Sequence, residues 1–205
     1  MKLTKMMKLC LLSVQYVKQV KLMNSSSINA TLLYSAMAFF KGRGYQFITV
    51  PMLVDEDIVK LTLPPDRQPK FHNGKCYVGS AEQSIYQLIK DGKDLPPKVL
   101  AITPCQRDEE VLDDLHQEIF LKIELACTDN SMSYRAIAND VIDFYDTLTD
   151  KAVMVDFSSF DNTLDIEVNG IEVGSYGQRE YMGRSINFGT GLALPRFTQA
   201  IHHGR

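Results

Sequence analysis

The dipeptide Asn169-Gly170 constrains the fold of this chain more than any other pair of residues. It separates two runs of strand-forming residues, and in the first run apolar and polar residues alternate from Leu164 onwards. Asn-Gly favours a two-residue turn between antiparallel strands, because both turn positions need a positive φ. Such a turn pairs Val168 with Ile171. We therefore expect a β-hairpin in a largely antiparallel sheet.

The remaining chain alternates helical and strand patterns. Capping residues and glycine or proline stops predict helices over 28–40, 81–90 and 131–151, and a C-terminal helix after Gly189-Thr190-Gly191. Further strands are predicted over 45–50, 75–78, 98–105, 117–127 and 185–188. Together these predict an α+β fold, a mostly antiparallel sheet flanked by helices. We expect one domain over 24–205, preceded by a basic leader or extra helix over 1–23.

Composition excludes several classes of protein. Of the 205 residues, 45% are hydrophobic and 23% charged, which excludes a disordered chain, a collagen-like rod and a coiled coil. No run of about 18 apolar residues exists, so we expect no transmembrane helix and no membrane partner. The four cysteines are far apart and form no Cys-x-x-Cys pair, which suits a reducing compartment and a cytoplasmic location.

Charge is distributed unevenly. Residues 1–54 contain seven basic residues and no acidic ones, so 55–205 carry a net charge of −10. An acidic main body counts against a general nucleic-acid binder, and any contact with RNA would depend on the N-terminal segment or a few arginines.

The predicted strand over 117–127 has an aromatic residue on its charged, non-core face. Phe120 shares the non-core face with Glu118, Lys122 and Glu124, whereas the core face holds Ile119, Leu121, Ile123 and Leu125. Phe120 either packs under a loop or forms a stacking platform for a flat ligand such as a nucleobase. Upstream, Arg107 is either a solvated side chain or a ligand for phosphate or carboxylate oxygens. The two strands and their turn aim Arg107, His116 and Phe120 at one open face of the sheet.

The hairpin crowds carboxylates together. Glu167 lies opposite Glu172, and Asp165 is on the same face. Such a cluster needs a cation, a proton or a basic partner. Oxygen ligands favour Mg²⁺, but pairing with Arg179, Arg184 or a lysine explains the sequence equally well. Further along, Gly189-Thr190-Gly191 enters a predicted helix containing Arg196, which favours close approach of an anionic ligand.

Taken in order, these segments resemble the catalytic core of class II aminoacyl-tRNA synthetases over residues 24–205. The helix and strand ending at Pro51 are similar to the family's first, dimer-forming motif. Gln106-Arg107-Asp108-Glu109, followed by His116-x-x-x-Phe120-x-x-x-Glu124, is similar to the second, with Gln106 where an aromatic residue is usual. The run from Gly189 to Arg196 is similar to the third. The segment from Gly79 to Gln83 is similar to the loop that holds the substrate's amino group, and Asp165, Glu172 and Ser175 have the spacing of the metal-binding hairpin.

The resemblance implies an ATP-dependent ligase that forms an aminoacyl-adenylate, releases pyrophosphate and transfers the amino acid to tRNA or another acceptor. It implies ATP and Mg²⁺ as cofactors, an amino acid substrate and a homodimer; the acidic main body counts against tRNA. The alternative is a non-catalytic paralogue that acts as a nucleotide-binding or regulatory subunit.

The resemblance also implies roles for individual residues. Arg107 would bind the α-phosphate and the amino acid carboxylate, and Glu109 and His116 would place the nucleotide. Phe120 and Arg196 would enclose the adenine, with Gly189 and Gly191 beside the nucleotide. Glu82 would take the α-ammonium, Ser80 and Ser175 would contact the substrate, and Asp165 and Glu172 would hold Mg²⁺.

Overall fold

The computed structural model describes residues 28–149, 153–158 and 163–203. The predicted leader at 1–23 lies outside these residues. The strands are β1 (Gln46–Ile48), β2 (Leu53–Val54), β3 (Phe71–His72), β4 (Lys75–Tyr77), β5 (Lys98–Gln106), β6 (Ile119–Cys127), β7 (Val153–Ser158), β8 (Thr163–Val168), β9 (Ile171–Tyr181) and β10 (Arg184–Leu194). The helices are α1 (Ala30–Gly42), α2 (Glu56–Val59), α3 (Ala81–Lys90), α4 (Tyr134–Asp146) and α5 (Arg196–His202).

A seven-stranded sheet in the order β1-β5-β6-β10-β9-β8-β7 forms the centre of the fold. Only the β1–β5 pair is parallel among the described strands. A small second sheet has the order β2-β4-β3. The predicted α+β class with a mainly antiparallel sheet is therefore confirmed.

The predicted hairpin is present at β8 and β9. Val168 pairs with Ile171, and φ is positive at both Asn169 (55°) and Gly170 (74°). Helix α3 also has its predicted limits, and the Ser80 hydroxyl accepts from the backbone N–H of Glu82 at 3.3 Å. Both elements follow from signals within a few residues of each other.

Each face of the large sheet has its own hydrophobic core. Helices α1, α4 and α5 cover one face, where Phe40, Phe144 and Phe197 pack on sheet residues. On the other face α3 and the small sheet contribute Ile85 and Val54 to a second core. The central sheet therefore separates two apolar layers, and within the described part of the chain the second layer covers its face only in part.

The segment Gly189-Thr190-Gly191 lies within a strand. Strand β10 continues past the predicted end at 188 and through Gly189-Thr190-Gly191 to Leu194, and the predicted C-terminal helix, α5, begins at Arg196. A Cβ atom on Gly189 would overlap the ring of Tyr176, and one on Gly191 would lie 2.9 Å from Cγ2 of Ile123. These glycines therefore make room for core side chains within the sheet.

Smaller differences concern the ends of elements. The helix predicted over 131–151 spans only Tyr134–Asp146, and β7 follows it without having been predicted. Ile119, assigned to the core face, is 63% exposed because it stands at the start of β6, beyond the covered part of the sheet. No helix in the described part of the chain has the length and apolar character needed to cross a bilayer.

Candidate functional site

Two adjoining cavities, of about 440 and 80 Å³, lie on the face of the large sheet that α3 and the small sheet partly cover. Both are lined by the charged and polar residues Arg107, Glu109, His116, Lys122, Glu172, Ser175 and Arg196. Phe120 lines the smaller cavity, and Ser80 and Glu82 line the larger. The folding of the chain thus brings nine of the twelve predicted site residues together. Asp165, Gly189 and Gly191 line neither cavity.

The floor of the larger cavity is a buried ion pair. Lys122 Nζ lies 3.0 Å from Glu124 Oε2 and 3.2 Å from the Ser80 hydroxyl oxygen. The Ser80 hydroxyl in turn donates to Glu124 Oε2 at 2.5 Å. The buried carboxylate of Glu124 thus has two hydrogen-bond donors. Lys122 and Glu124, which were predicted for the outer face of β6, are therefore buried and form a fixed polar surface, whereas Glu118 is exposed.

Glu82 forms the side wall of the larger cavity. Its Oε1 accepts from the Tyr86 hydroxyl at 2.7 Å and from Arg179 Nε at 3.1 Å. Burial, reinforced by the nearby charge of Glu124, raises the pKa of Glu82 from 4.5 to about 7 despite these donors. A carboxyl group poised in this way is stabilised in its ionised form by any cation that enters the cavity.

Arg107 lies against Phe120. Its guanidinium carbon is 5.1 Å from the centroid of the Phe120 ring, and its Nε donates to the carbonyl of Gly79 at 3.1 Å. A Cβ on Gly79 would lie 3.6 Å from the Arg107 side chain, so the two segments are in close contact. The aromatic ring singled out in the sequence therefore lies against a cation of the β5–β6 loop and lines the smaller cavity.

The β5–β6 loop is tied to the cavity rim by polar contacts. Glu109 pairs with Arg67 at 3.3 Å, and Arg67 also donates to the backbone carbonyl of Asp108. Within the loop, His116 Nδ1 is 2.9 Å from an oxygen of Asp113. Arg196 Nε donates to the carbonyl of Leu115 at 3.4 Å, which connects the start of α5 to this loop.

The acidic hairpin presents Glu172 and Ser175 to the cavities. Glu167 is opposite Glu172 in the ladder, as predicted, and Asp165 is opposite Ser175. Among the described residues, no basic side chain forms an ion pair with Asp165, Glu167 or Glu172, and no group of three or more metal-ligating side chains is present. Arg179, one of the basic partners considered for these acids, pairs with Glu82 instead.

Sequence reasoning missed the contribution of Arg179 and Arg67 to the site. Arg179 follows Ser175 by four positions on β9, so the period of two places both on the cavity face. The position of Arg179 on this face could therefore have been predicted. Its pairing with Glu82 could not, because Glu82 lies 97 residues away in the chain. No local sequence pattern predicts the pairing of Arg67 with Glu109.

Several solved structures have a fold similar to that of this chain. The chain matches a pyrrolysyl-tRNA synthetase from Desulfitobacterium hafniense with a TM-score of 0.66 and 13% identity, covering 94% of this chain and 76% of that one. It matches seryl-tRNA synthetase from Pyrococcus horikoshii, complexed with ATP, with a TM-score of 0.68 and 15% identity, covering 96% and 56%. It matches the cytoplasmic serine–tRNA ligase of Naegleria fowleri, in complex with AMP, with a TM-score of 0.65 and 15% identity, covering 97% and 49%.

No family model and no curated protein sequence matches this chain. The chain spans about half the length of the two seryl enzymes that it matches. At 13–15% identity these likenesses concern the fold alone. The fold of this chain is therefore similar to that of the catalytic domains of class II aminoacyl-tRNA synthetases.

Proposed function

We propose that this chain binds ATP and an amino acid in the two cavities and joins them to an aminoacyl-adenylate, with release of pyrophosphate. The observation that carries this proposal is the convergence of Arg107, Phe120, Glu82 and Arg196 on adjoining cavities from four separate segments of the chain. An aromatic face, two guanidinium groups and a carboxylate suit a base, phosphates and an ammonium group, respectively.

The chemistry requires positioning more than covalent participation of the protein. Glu82 would hold the α-ammonium, and Arg107 would hold the carboxylate close to the α-phosphate. A carboxylate oxygen then attacks the α-phosphorus, the bond to the bridging oxygen breaks, and pyrophosphate leaves. Arg107 and Arg196 would neutralise the negative charge that develops on the phosphates.

The cavity also has oxygen donors of the kind that Mg²⁺ prefers. Glu172 and Ser175 line it, and Asp165 lies across the ladder from Ser175 on the neighbouring strand. We propose Glu172 and Asp165 as metal-binding residues, with Ser175 next to them. Bound Mg²⁺ would supply positive charge to the phosphates.

Amino-acid-dependent exchange of pyrophosphate into ATP, run with Mg²⁺ across the twenty amino acids and without tRNA, tests this function. Exchange with one amino acid is expected, and Arg107→Gln should abolish it while Arg184→Gln, which removes an exposed arginine outside the cavities, should not. ATP binding without exchange for any amino acid would contradict the catalytic proposal and indicate the non-catalytic paralogue.

A further inference from the structure

Arg179 occupies a position in the larger cavity that the proposed reaction does not use. It lies on β9, and its guanidinium carbon is 5.5 Å from the centroid of the Phe188 ring. Gly177, two residues earlier on the same face, leaves room for that ring, because a Cβ there would lie 3.3 Å from Phe188 Cζ. The cation–π contact with Phe188 and the hydrogen bond from Nε to Glu82 hold the guanidinium in place.

The outer edge of this guanidinium is available to a ligand. Its Nε donates to Glu82, whereas its two terminal nitrogens donate no hydrogen bond to any described residue. The side chain is 46% exposed and lines the cavity. Two parallel N–H donors of this kind match the two oxygens of a carboxylate.

The order of groups along the cavity wall indicates which carboxylate of an amino acid, that of the backbone or that of the side chain, would reach Arg179. Arg107 contacts Gly79 at the start of the loop that precedes α3, and Glu82 follows in the first turn of that helix. Arg179 contacts Glu82. An amino acid with its α-carboxylate at Arg107 and its α-ammonium at Glu82 therefore directs its side chain towards the region of Arg179.

Charge balance leads to the same assignment. Two ion pairs line this part of the cavity, Lys122 with Glu124 and Arg179 with Glu82, and their formal charges cancel. The α-carboxylate of the substrate is matched by Arg107, but its ammonium adds one positive charge to these balanced pairs. A neutral side chain leaves that charge uncompensated, a basic one doubles it, and an acidic one removes it.

We propose that the amino acid taken by this cavity has an acidic side chain, whose carboxylate is bound by the terminal nitrogens of Arg179. This inference rests on the proposed function, since it takes the positions of the α-carboxylate and α-ammonium from it. Arg179 then acts as the residue that determines specificity. It takes no part in the attack on phosphorus.

Calorimetric titration of the full chain with L-aspartate, L-glutamate, L-asparagine and L-glutamine tests the assignment. One of the two acids should bind roughly tenfold or more tightly than its own amide, because the amide forms no charge-assisted pair. Arg179→Gln should remove that preference, and Arg179→Lys should restore it in part. The matched control Arg184→Gln should leave it unchanged. Circular dichroism checks that each variant is folded.

Tighter binding of an amide than of its acid, an equal preference in Arg179→Gln and in the unaltered chain, or no binding of either acid would each overturn the assignment. Pyrophosphate exchange separates this result from the proposed function. Exchange with a neutral or basic amino acid alone would leave the function standing and refute the acidic substrate. Preferential binding of an acid without exchange would support the assignment while refuting adenylation.

Discussion

At the scale of single residues, Phe120 shows how the environment decides the role of an aromatic side chain. Its ring lies beneath the Arg107 guanidinium at the wall of the smaller cavity, beside charged neighbours. If a nucleobase stacks here, Phe120→Ala should weaken ATP binding roughly 10- to 100-fold, the effect expected for the loss of one stacking platform. Fluorescence titration with a labelled ATP analogue measures this.

The matched control for that measurement is Phe71→Ala, which removes a 57% exposed phenylalanine from outside both cavities. Nucleotide affinity should be unaffected in this variant. An equal affinity in both variants would assign Phe120 to packing.

Glu82 should make amino acid binding dependent on pH. Because its pKa is raised to about 7, the folded chain retains a proton that the unfolded chain loses near pH 4.5. This group therefore contributes stability below about pH 4.5, and the contribution is lost as pH rises through about 7. An entering ammonium prefers the ionised carboxylate, so affinity for the substrate should rise from pH 6 to 8 and then level off.

Calorimetry at a series of pH values, with the amino acid that supports exchange, checks the dependence. Glu82→Gln should bind weakly and lose the dependence, whereas Glu180→Gln, which removes an exposed acid on β9 outside both cavities, should keep it. Affinity that falls as pH rises would refute the assignment of Glu82 to the ammonium.

At the scale of elements, local signals predicted some segments well and failed at others for identifiable reasons. Helix α3 and the β8–β9 turn were predicted correctly, because Ser80 and Asn169-Gly170 act within a few residues. Strand β10 was cut short in the prediction, since glycine disfavours strands unless another side chain needs the space. Here that side chain is Tyr176, on the neighbouring strand.

The tolerance of β10 for a side chain can be measured. Gly189→Ala forces a methyl group into the ring of Tyr176 and should destabilise the fold by about 1–3 kcal/mol or more. For a chain of this size that lowers Tm by roughly 2–4 °C per kcal/mol. Gly79→Ala is the control, because its new Cβ meets nothing closer than 3.6 Å and its Tm should hardly change. Equal Tm values in both variants would show that the ring of Tyr176 moves aside.

The proposed role of the acidic hairpin in binding Mg²⁺ can be tested by removing Glu172. Glu172→Ala should abolish Mg²⁺-dependent exchange while leaving Tm within a degree or two, because the side chain is exposed and forms no ion pair among the described residues. Exchange rates titrated against Mg²⁺ measure this, with Glu180→Ala as the control. Undiminished exchange in Glu172→Ala would remove it from the metal site.

At the scale of the whole molecule, the edge of the large sheet bears on self-association. Among the described strands, β1 stands at one edge of the sheet and exposes Phe47 (53%), and Tyr34 on α1 is 60% exposed. Unpaired strand edges with apolar side chains favour association. The homodimer remains a prediction; Phe47→Arg should shift a dimer towards half its mass in sedimentation velocity, and Phe71→Arg should not. A monomeric parent chain would refute it.

The general arrangement of the site was predictable, but its internal pairings were not. The order of motifs along the chain indicated which segments meet on one sheet face. By contrast, the contacts of Glu82 with Arg179 and of Glu109 with Arg67 depend on how distant segments approach in space. Those contacts determine which charged groups of the cavity are already paired.

The position of Phe120 also has a spectroscopic use. The chain contains no tryptophan, so its ultraviolet emission comes from nine tyrosines. Phe120→Trp would place a single indole at the wall of the smaller cavity, beneath a guanidinium group. Excitation at the red edge would then select one emitter, and its quenching would follow the arrival of a nucleotide in real time without a label on either molecule.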